Sequence, residues 1–462
     1  MATPTLADRR ERSIVIGGSM AGLLAARVLS DHFREVVLLE ADDFPESDAQ
    51  RRGVPQGPHA HGLMAGGRQI LDELFPGFSV ELAHAGAARG DVGGQVRWFM
   101  EGARLRSFTS GIEAFGMTRP VIDRIVRARL RAIGNIHVIE KRRVDGLVLT
   151  ADGRCVSGVT IKGDTLPADL VVDASGRGSR TPRWLEERGY TRPREDTIEI
   201  QLRYTTRLFR RRATDMSDDN AVAVIVAPTP LGKRGGLMIA QEGQRWIVTL
   251  INYFGEHVPP ELPAFVEFAR RLHAPWIYDV IRDAEPVGEA HVTSFPASVR
   301  HRYDKLKRFP SGVILVGDAL SSFNPMYGQG MSVAAKEVKE LGAILGDGQP
   351  DLSRRFFSRA ATIIDAAWTL AACNDLRIPE VTGRRNAPAR VMSSYIPLLL
   401  RAGHSDAAVV EAFIKVQNML IPPTDLIQPA IVLRVLRAAL GNVRASGPSR
   451  SDIRVRSSSV VK

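Results

Sequence analysis

Three glycine-containing turns hold most of the residues in this sequence that could bind a cofactor. The first turn consists of Gly17, Gly18, Ser19, Met20, Ala21 and Gly22. Glycines in such a turn let a pyrophosphate approach backbone N–H groups at the N-terminus of the following helix. Glu40 ends the next apolar run, eighteen residues after Gly22, close to the spacing of an acid that hydrogen-bonds a ribose. This stretch predicts a dinucleotide-binding unit in which Ser19 replaces the usual middle glycine.

Two further turns of this kind follow later in the chain. The range 173–180 reads DASGRGSR and comes directly after the apolar run 170–172. Asp318 follows the apolar run 313–316, so it lies at the carboxyl end of a predicted strand, where open α/β sheets bind their ligands. The segment after Asp318 opens a helix whose N-terminal dipole favours negative charge. This third turn contributes Pro325, Gly328, Gln329, Gly330 and Met331.

Basic residues and histidines near these turns are further candidates. Arg119 opens a predicted helix, where it could anchor a phosphate or a ribitol chain. Arg51 and Arg52 could meet a phosphate, although exposure to solvent explains them equally well. His59 and His61 would point to opposite sides of an extended segment, so they do not form a metal pair. We interpret both histidines as satisfying the loop backbone rather than covering a bound ring.

The elements around these residues predict an α/β protein. Apolar strands that alternate with helices predict a Rossmann-like cofactor-binding domain with a parallel sheet. Long alternating strands between Ile198 and Phe254 predict an inserted antiparallel-sheet substrate domain, of α+β type. Amphipathic spacing after Gly348 predicts a helical C-terminal region. The expected boundaries are 1–90, 118–190 and 300–347 for the cofactor domain, 91–117 and 191–299 for the substrate domain, 348–443 for a helical cap and 444–462 for a disordered basic tail.

Composition narrows the classes of protein to consider. The 62 Lys and Arg residues exceed the 51 acidic residues and give a net charge of +11, but they are spread along the chain without a nucleic-acid-binding module. The 462 residues contain no apolar run long enough to span a membrane and begin with a polar segment unlike a signal peptide. Two cysteines are too few for a disulfide framework or for a set of metal ligands. We therefore expect a cytoplasmic protein without a metal site or a nucleic-acid partner.

The sequence resembles FAD-dependent monooxygenases of the para-hydroxybenzoate hydroxylase fold. The resemblance rests on three motifs that occur in the same order, namely GGSMAG, DASGRGSR and GDA followed by NPMYGQGM. The resemblance covers about residues 13–345. Two loops, RRGVPQGPHAHGL and NPMYGQGM, are similar in style to the olefin epoxidases of polyether pathways and to squalene epoxidase-like enzymes. The family thus implies a single extended cofactor, FAD, bound across all three turns.

The resemblance also implies roles for the matching positions. The first turn holds the pyrophosphate of FAD, and Glu40 holds its adenosine ribose. Arg119 contacts the phosphate and ribitol side of the flavin, and Asp318 binds the ribitol. Pro325 and the range 328–331 lie against the isoalloxazine ring.

One departure from the family concerns the electron donor. In the aromatic hydroxylases an Asp-Gly turn serves both FAD and NADPH, whereas here Asp173 is followed by Ala174 and Ser175. Electrons then come either from NAD(P)H directly or through a separate flavin reductase as a partner.

The implied activity is insertion of one oxygen atom from O2 into a lipophilic alkene or aromatic small molecule, by epoxidation or hydroxylation through a flavin C4a-hydroperoxide. This chemistry needs no acid, base or nucleophile triad, and no side chain is assigned as catalytic.

Three other functions are alternatives to oxygen insertion. The first is a flavin-dependent reductase of prenyl double bonds, similar to geranylgeranyl reductases, whose product gains two hydrogens instead of one oxygen. A flavin halogenase is disfavoured because its W-x-W-x-I-P segment is absent. A non-catalytic flavoprotein or basic binding module is the third. Weak contact of the segment VLRVLRAAL with a membrane surface stays open beside ordinary core packing.

Overall fold

The computed structural model describes residues 10–45, 47–51, 53–384 and 387–445. Arg52, one of the candidate phosphate-binding residues, lies outside these ranges, as does the range 446–462 of the predicted tail. The described part contains a parallel sheet, a large and mostly antiparallel sheet, and a helical region at its carboxyl end, which confirms the predicted fold class.

Nineteen strands occur in the described residues. They are β1 (Arg10–Ile16), β2 (Phe33–Leu39), β3 (Ala88–Asp91), β4 (Val96–Met100), β5 (Ala103–Arg104), β6 (Glu113–Gly116), β7 (Ile136–Ile139), β8 (Gly146–Leu149), β9 (Val156–Ile161), β10 (Asp164–Pro167), β11 (Leu170–Asp173), β12 (Glu195–Arg210), β13 (Ala223–Val226), β14 (Arg234–Gln241), β15 (Arg245–Tyr253), β16 (Pro286–His301), β17 (Val313–Leu315), β18 (Ser321–Ser322) and β19 (Thr382–Gly383).

Twelve α-helices accompany these strands within the same ranges. They are α1 (Met20–Leu29), α2 (Ala65–Leu74), α3 (Phe78–His84), α4 (Arg119–Arg131), α5 (Thr181–Glu186), α6 (Leu262–Arg270), α7 (Trp276–Ile281), α8 (Gly330–Gly346), α9 (Leu352–Asp375), α10 (Ala387–Ala402), α11 (Ala407–Gln417) and α12 (Pro429–Ala445).

The parallel sheet has the strand order β17-β11-β1-β2-β7. Its central strand β1 buries Ile14 and Val15 completely, as expected for a strand covered on both faces. Helices α1 and α8 pack against each other beside this sheet. The carboxyl ends of β1, β11 and β17 lead directly into the three glycine-containing turns, so the sheet itself places the turns at one edge.

The large sheet has the order β18-β16-β12-β15-β14-β13-β4-β5, with β19 added beside β12. Its pairs are antiparallel except for β13 and β4, which run parallel. Helices α6 and α7 cover one part of it, where Phe209, Trp246 and Phe265 are fully buried. The short strand β18 follows Asp318 closely in sequence and pairs with β16 of the large sheet. The chain therefore passes from β17 of the parallel sheet to the large sheet at this point.

The remaining strands form two smaller sheets, β10-β9-β8 and the pair β3-β6.

The apolar spacing from Ile70 to Leu82 predicts one helix, and this prediction is wrong, because α2 ends at Leu74 and α3 begins at Phe78. Pro76 cannot continue a helix, and Gly77 takes a φ of +84° at the N-cap of α3.

The C-terminal helices α10, α11 and α12 pack with strand β4 in one apolar cluster, which includes an edge contact between Trp98 and Phe413. Helix α12 buries Val435 in this cluster and exposes Leu433, Leu436 and Leu440. Among the described residues, no helix combines the length and apolar character needed to cross a membrane.

Candidate functional site

The first turn brings helix α1 into direct contact with the end of strand β1. A Cβ atom on Gly22 would lie 1.8 Å from the carbonyl oxygen of Gly17, and Gly17 itself has a φ of +98°. Neither position accepts a side chain without moving backbone. The helix therefore begins as close to the strand as two backbones allow.

All three turns meet at this edge of the parallel sheet. A Cβ atom on Gly17 would lie 2.6 Å from the carbonyl oxygen of Ala174, in the second turn. A Cβ atom on Gly317, just before Asp318, would lie 2.7 Å from the Cβ of Ala21. The first turn therefore touches both others, and the three form one continuous surface.

The N-terminus of α1 is open to an anion. Ser19 occupies the N-cap, but its side chain makes no capping hydrogen bond, and the first turn of the helix has no acidic residue. The Ser19 hydroxyl oxygen instead accepts a hydrogen bond from Arg119 Nη2 at 3.0 Å. Arg119 is held in turn by Asp123, 2.6 Å from its Nε. Uncapped amides beside a fixed guanidinium are the donors that a pyrophosphate requires.

Glu40 lies against the same turn. Its Oε2 accepts a hydrogen bond from the Gly18 N–H at 2.7 Å, and its Oε1 accepts one from the Asp42 N–H at 2.9 Å. Arg51 lies 3.0 Å from Oε2 and also donates to the Gly18 carbonyl at 3.0 Å. Arg51, which the sequence left undecided between phosphate contact and exposure, is thus buried and secures Glu40 to the turn.

The third turn places Asp318 beside the start of α8. A Cβ atom on Gly330 would lie 3.9 Å from Asp318 Oδ1. Burial raises the pKa of Asp318, while the positive charges of Arg177 and Arg119 act in the opposite direction. Asp318 therefore interacts electrostatically with an arginine of the second turn and with the arginine that holds Ser19. The Gly317 N–H donates to Oε2 of Glu337, on α8, at 2.7 Å.

The segment that follows Asp318 forms a tight loop before α8. Asn324 Oδ1 accepts a hydrogen bond from the Met326 N–H at 3.1 Å and caps a short 3₁₀ turn. Gly328 has a φ of +64°, and a Cβ atom there would lie 3.5 Å from the Cα of Gly62. The loops that carry HAHGL and NPMYGQGM are therefore in contact.

Helix α8 begins at Gly330 with its N-terminus free of side-chain caps and of acidic residues in its first turn. Gln329 and Met331, on either side of Gly330, are both buried. Gly328 and Gly330 are half-buried.

A cavity of about 160 Å³ lies between this loop, the large sheet and the C-terminal helices. Most of its wall is apolar, formed by side chains such as Trp98, Ile225, Leu237, Ile239, Leu400 and Phe413. The segments 60–62 and 325–328 close one side. The lining also includes polar side chains, among them His61, Tyr253, Tyr327 and Asp375, together with Glu101, Asn374, Arg377 and Gln417.

The two histidines have different surroundings. His59 lies between the hydroxyls of Thr206 and Thr293, at 2.8 and 2.7 Å, and burial lowers its pKa to about 3. His61 Nδ1–H donates to the His59 carbonyl at 2.8 Å, and burial lowers the pKa of His61 to about 4. His61 thus contacts the loop backbone, as expected, whereas the backbone interpretation is wrong for His59, whose partners are threonine hydroxyls of the large sheet.

The second turn is organised by Asp173, which is fully buried. Its carboxylate accepts hydrogen bonds from the Ser175 N–H at 2.9 Å and from the hydroxyls of Ser175, Ser179 and Thr181. Both oxygens are thus engaged by the turn and by Thr181, the first residue of α5.

Comparisons with known proteins place the chain in a family. Residues 11–348 match the family described as FAD binding domain. Protein Rv3254 of Mycobacterium tuberculosis is 32% identical over 467 aligned positions, which cover 93% of this chain and 95% of that protein.

Solved structures share the fold at low identity. PqsL, a probable FAD-dependent monooxygenase from Pseudomonas aeruginosa, is 16% identical with a TM-score of 0.61, over 80% of this chain and 98% of that one. The flavin-dependent brominase Bmp2 is 13% identical with a TM-score of 0.64, over 94% and 99%. A flavoprotein/dehydrogenase from Cytophaga hutchinsonii is 15% identical with a TM-score of 0.65, over 95% and 100%.

The family match spans well over half of the sequence and includes all three turns. The chain therefore belongs to the FAD binding domain family and is an FAD-dependent oxidoreductase.

Proposed function

We propose that this protein is a monooxygenase that places one oxygen atom from O2 on a lipophilic alkene or aromatic small molecule. The observation that carries the proposal is the largely apolar cavity that adjoins the segment 325–328, beside the third turn. Bound FAD, once reduced, supplies the activation of oxygen. Apolar walls keep water away from the reacting groups and accommodate a lipophilic substrate. The description of PqsL as a probable FAD-dependent monooxygenase agrees with this assignment.

The residues of the three turns fit FAD. The uncapped N-terminus of α1 and Arg119 would hold the pyrophosphate, and Glu40 would hold the adenosine ribose. Asp318 would accept hydrogen bonds from the ribitol, and Pro325 with the range 328–331 would lie against the isoalloxazine ring. The N-terminal amides of α8 would stabilise negative charge there.

Within the monooxygenases, we propose epoxidation of an alkene rather than hydroxylation. The two loops that carry the resemblance to olefin epoxidases meet where Gly62 lies against Gly328, at the wall of the cavity. Both loops therefore contribute to the surface that a substrate would contact.

For the electron source, we propose a separate flavin reductase. Ser175 and Ser179 of the second turn and Thr181 at the start of α5 donate to both oxygens of Asp173, which leaves this carboxylate occupied rather than available to a nicotinamide cofactor. Reduction of the purified protein by NADPH alone, at a rate that matches turnover, would contradict this assignment.

The cellular setting is also a proposal. We infer a cytoplasmic protein, in which the exposed Leu433, Leu436 and Leu440 of α12 give weak contact with membrane surfaces that hold lipophilic substrate.

Replacing Arg119 with methionine is expected to raise the Kd for FAD by about tenfold to a hundredfold, because a hydrogen bond to a charged group contributes about 1.5–3 kcal/mol. Titration of apoprotein with FAD, followed by flavin fluorescence, measures the change. Arg124→Met provides the matched control, since Arg124 lies on the same helix but is exposed and pairs with Asp48. Equal affinities in the two variants would remove Arg119 from the FAD site.

Rapid mixing of the chemically reduced protein with oxygen tests the activity itself. A monooxygenase is expected to show a transient absorbing species before the oxidised flavin spectrum returns. Direct return of the oxidised spectrum, without such a species, would contradict the proposal. Product mass then separates the alternatives, because a reductase of prenyl double bonds adds two hydrogens and a monooxygenase adds one oxygen.

A further inference from the structure

Asp375 is the last residue of α9 and lines the cavity while being only 1% exposed. Its Oδ1 accepts three hydrogen bonds: from the Tyr253 hydroxyl at 2.9 Å, the Tyr327 hydroxyl at 2.8 Å and the Asn324 amide at 3.0 Å. These donors come from the large sheet and from the loop before α8. One carboxylate oxygen therefore links α9 both to the large sheet and to the loop before α8.

The other oxygen, Oδ2, is buried and has no hydrogen-bond partner among the described residues. An unpaired buried acceptor is destabilising, and more so when it is charged. Of the residues that carry a buried side-chain atom without a partner in the described ranges, Asp375 is the one that lines this cavity. The donor that Oδ2 lacks can therefore come from a molecule in the cavity.

The neighbours of Asp375 keep it an acceptor. Burial raises the pKa of both Tyr253 and Tyr327, so their hydroxyls stay protonated and donate. Burial also raises the pKa of Asp375 to about 6, and the three hydrogen bonds at Oδ1 oppose that rise. The cavity's Arg377 is already paired with Glu101 at 2.6 Å, so it does not neutralise Asp375.

We propose that Asp375 is a specificity-determining residue whose Oδ2 accepts a hydrogen bond from a hydroxyl group on an otherwise apolar substrate. This inference rests on the proposed function, because it assigns a polar group to the same lipophilic substrate. A hydroxyl has one hydrogen to donate, which matches one unpaired oxygen, whereas an ammonium has three. Trp98, Leu400 and Phe413 provide the apolar surface for the rest of the molecule.

Two matched probe pairs test the assignment in the FAD-loaded protein. Phenol is compared with anisole and 2-naphthol with 2-methoxynaphthalene, so each pair differs by loss of the hydroxyl hydrogen. Binding is measured from the shift in the visible spectrum of the flavin. The hydroxyl member of at least one pair is expected to bind about tenfold more tightly or better, the effect of one hydrogen bond to a charged group.

Asp375→Asn is the informative variant. The side-chain oxygen of asparagine can keep the three donors at the Oδ1 position, and its NH2 group then stands at the Oδ2 position as a donor. The preference for the hydroxyl probe is expected to disappear or to reverse toward the methyl ether. Asp365→Asn controls for loss of an acidic residue on the same helix, because Asp365 is exposed and pairs with Arg300.

Three outcomes would overturn the inference: equal affinities within both pairs in the unaltered protein, an unchanged preference in Asp375→Asn, or no binding of either hydroxyl probe at millimolar concentration. Equal affinities would mean that a water molecule alone satisfies Oδ2. The reaction of reduced protein with oxygen does not depend on these probes, so its result separates failure of this inference from failure of the proposed function. A folded Asp375→Asn protein is recognised by unchanged FAD content.

Discussion

Replacing Gly22 with alanine is expected to abolish stable FAD binding, with a rise in the Kd of at least about a hundredfold, or about 2.7 kcal/mol. A Cβ atom at this position would lie 1.8 Å from the Gly17 carbonyl oxygen, so α1 must move away from β1. That movement displaces the N-terminal amides of the helix and separates Ser19 from Arg119. Overpacking of a rigid site also lowers stability by about 1–3 kcal/mol.

The measurement is FAD content after purification, together with an FAD titration and a thermal unfolding curve. Gly134→Ala is the matched control, since Gly134 is exposed and a Cβ atom there would meet nothing within 4 Å. Normal FAD affinity in Gly22→Ala would show that contact between α1 and β1 does not position the cofactor. A variant that is destabilised yet binds FAD normally would lead to the same conclusion.

The sequence predicted the framework of this site because its signals are local. Gly17 and Gly22 lie within one turn, and the apolar runs that end at Ile16 and Leu39 mark the strands on either side. Asp318 could be placed because it directly follows a buried strand. Pro76 and Gly77 signal a helix break locally, whereas the apolar spacing around them continues across the break.

Contacts between residues that are far apart in the sequence could not be predicted in this way. Asp375 and Tyr253 are 122 positions apart, and no local pattern connects them. Arg51 meets Gly18 only because a long loop folds back on the first turn. The partners of His59 lie on β12 and β16, more than 140 positions further along the chain. Such contacts depend on how segments distant in sequence pack together, which composition and spacing do not specify.

Glu337 introduces a pH dependence into the stability of this region. It is fully buried on α8, where Oε2 accepts from the Gly317 N–H and Oε1 has no partner within the described ranges. Burial raises the pKa of Glu337 from its ordinary value of 4.5 to about 8, and the nearby charge of Asp318 adds to the rise. The folded protein therefore binds a proton that the unfolded chain releases above pH 4.5.

Glu337→Gln is accordingly expected to stabilise the protein, and more so as the pH rises. Between pH 4.5 and 8 the folded state binds more protons than the unfolded state, so stability of the unaltered protein falls by up to ~1.4 kcal/mol per pH unit. Glutamine carries no charge, and its side-chain oxygen can still accept from Gly317. The stability difference between the two proteins should be small near pH 4.5, grow to the order of 5 kcal/mol and level off above pH 8.

Thermal unfolding midpoints across this pH range measure that difference, with the same FAD saturation in each sample. Glu340→Gln is the control, because Glu340 lies on the same helix, is more exposed and pairs with Arg359. A constant difference across the range would show that Glu337 titrates as an ordinary carboxyl. A difference that shrinks as the pH rises would show that the ionised form is the one stabilised at Gly317, and therefore that a negative charge, not a proton, is held beside Asp318.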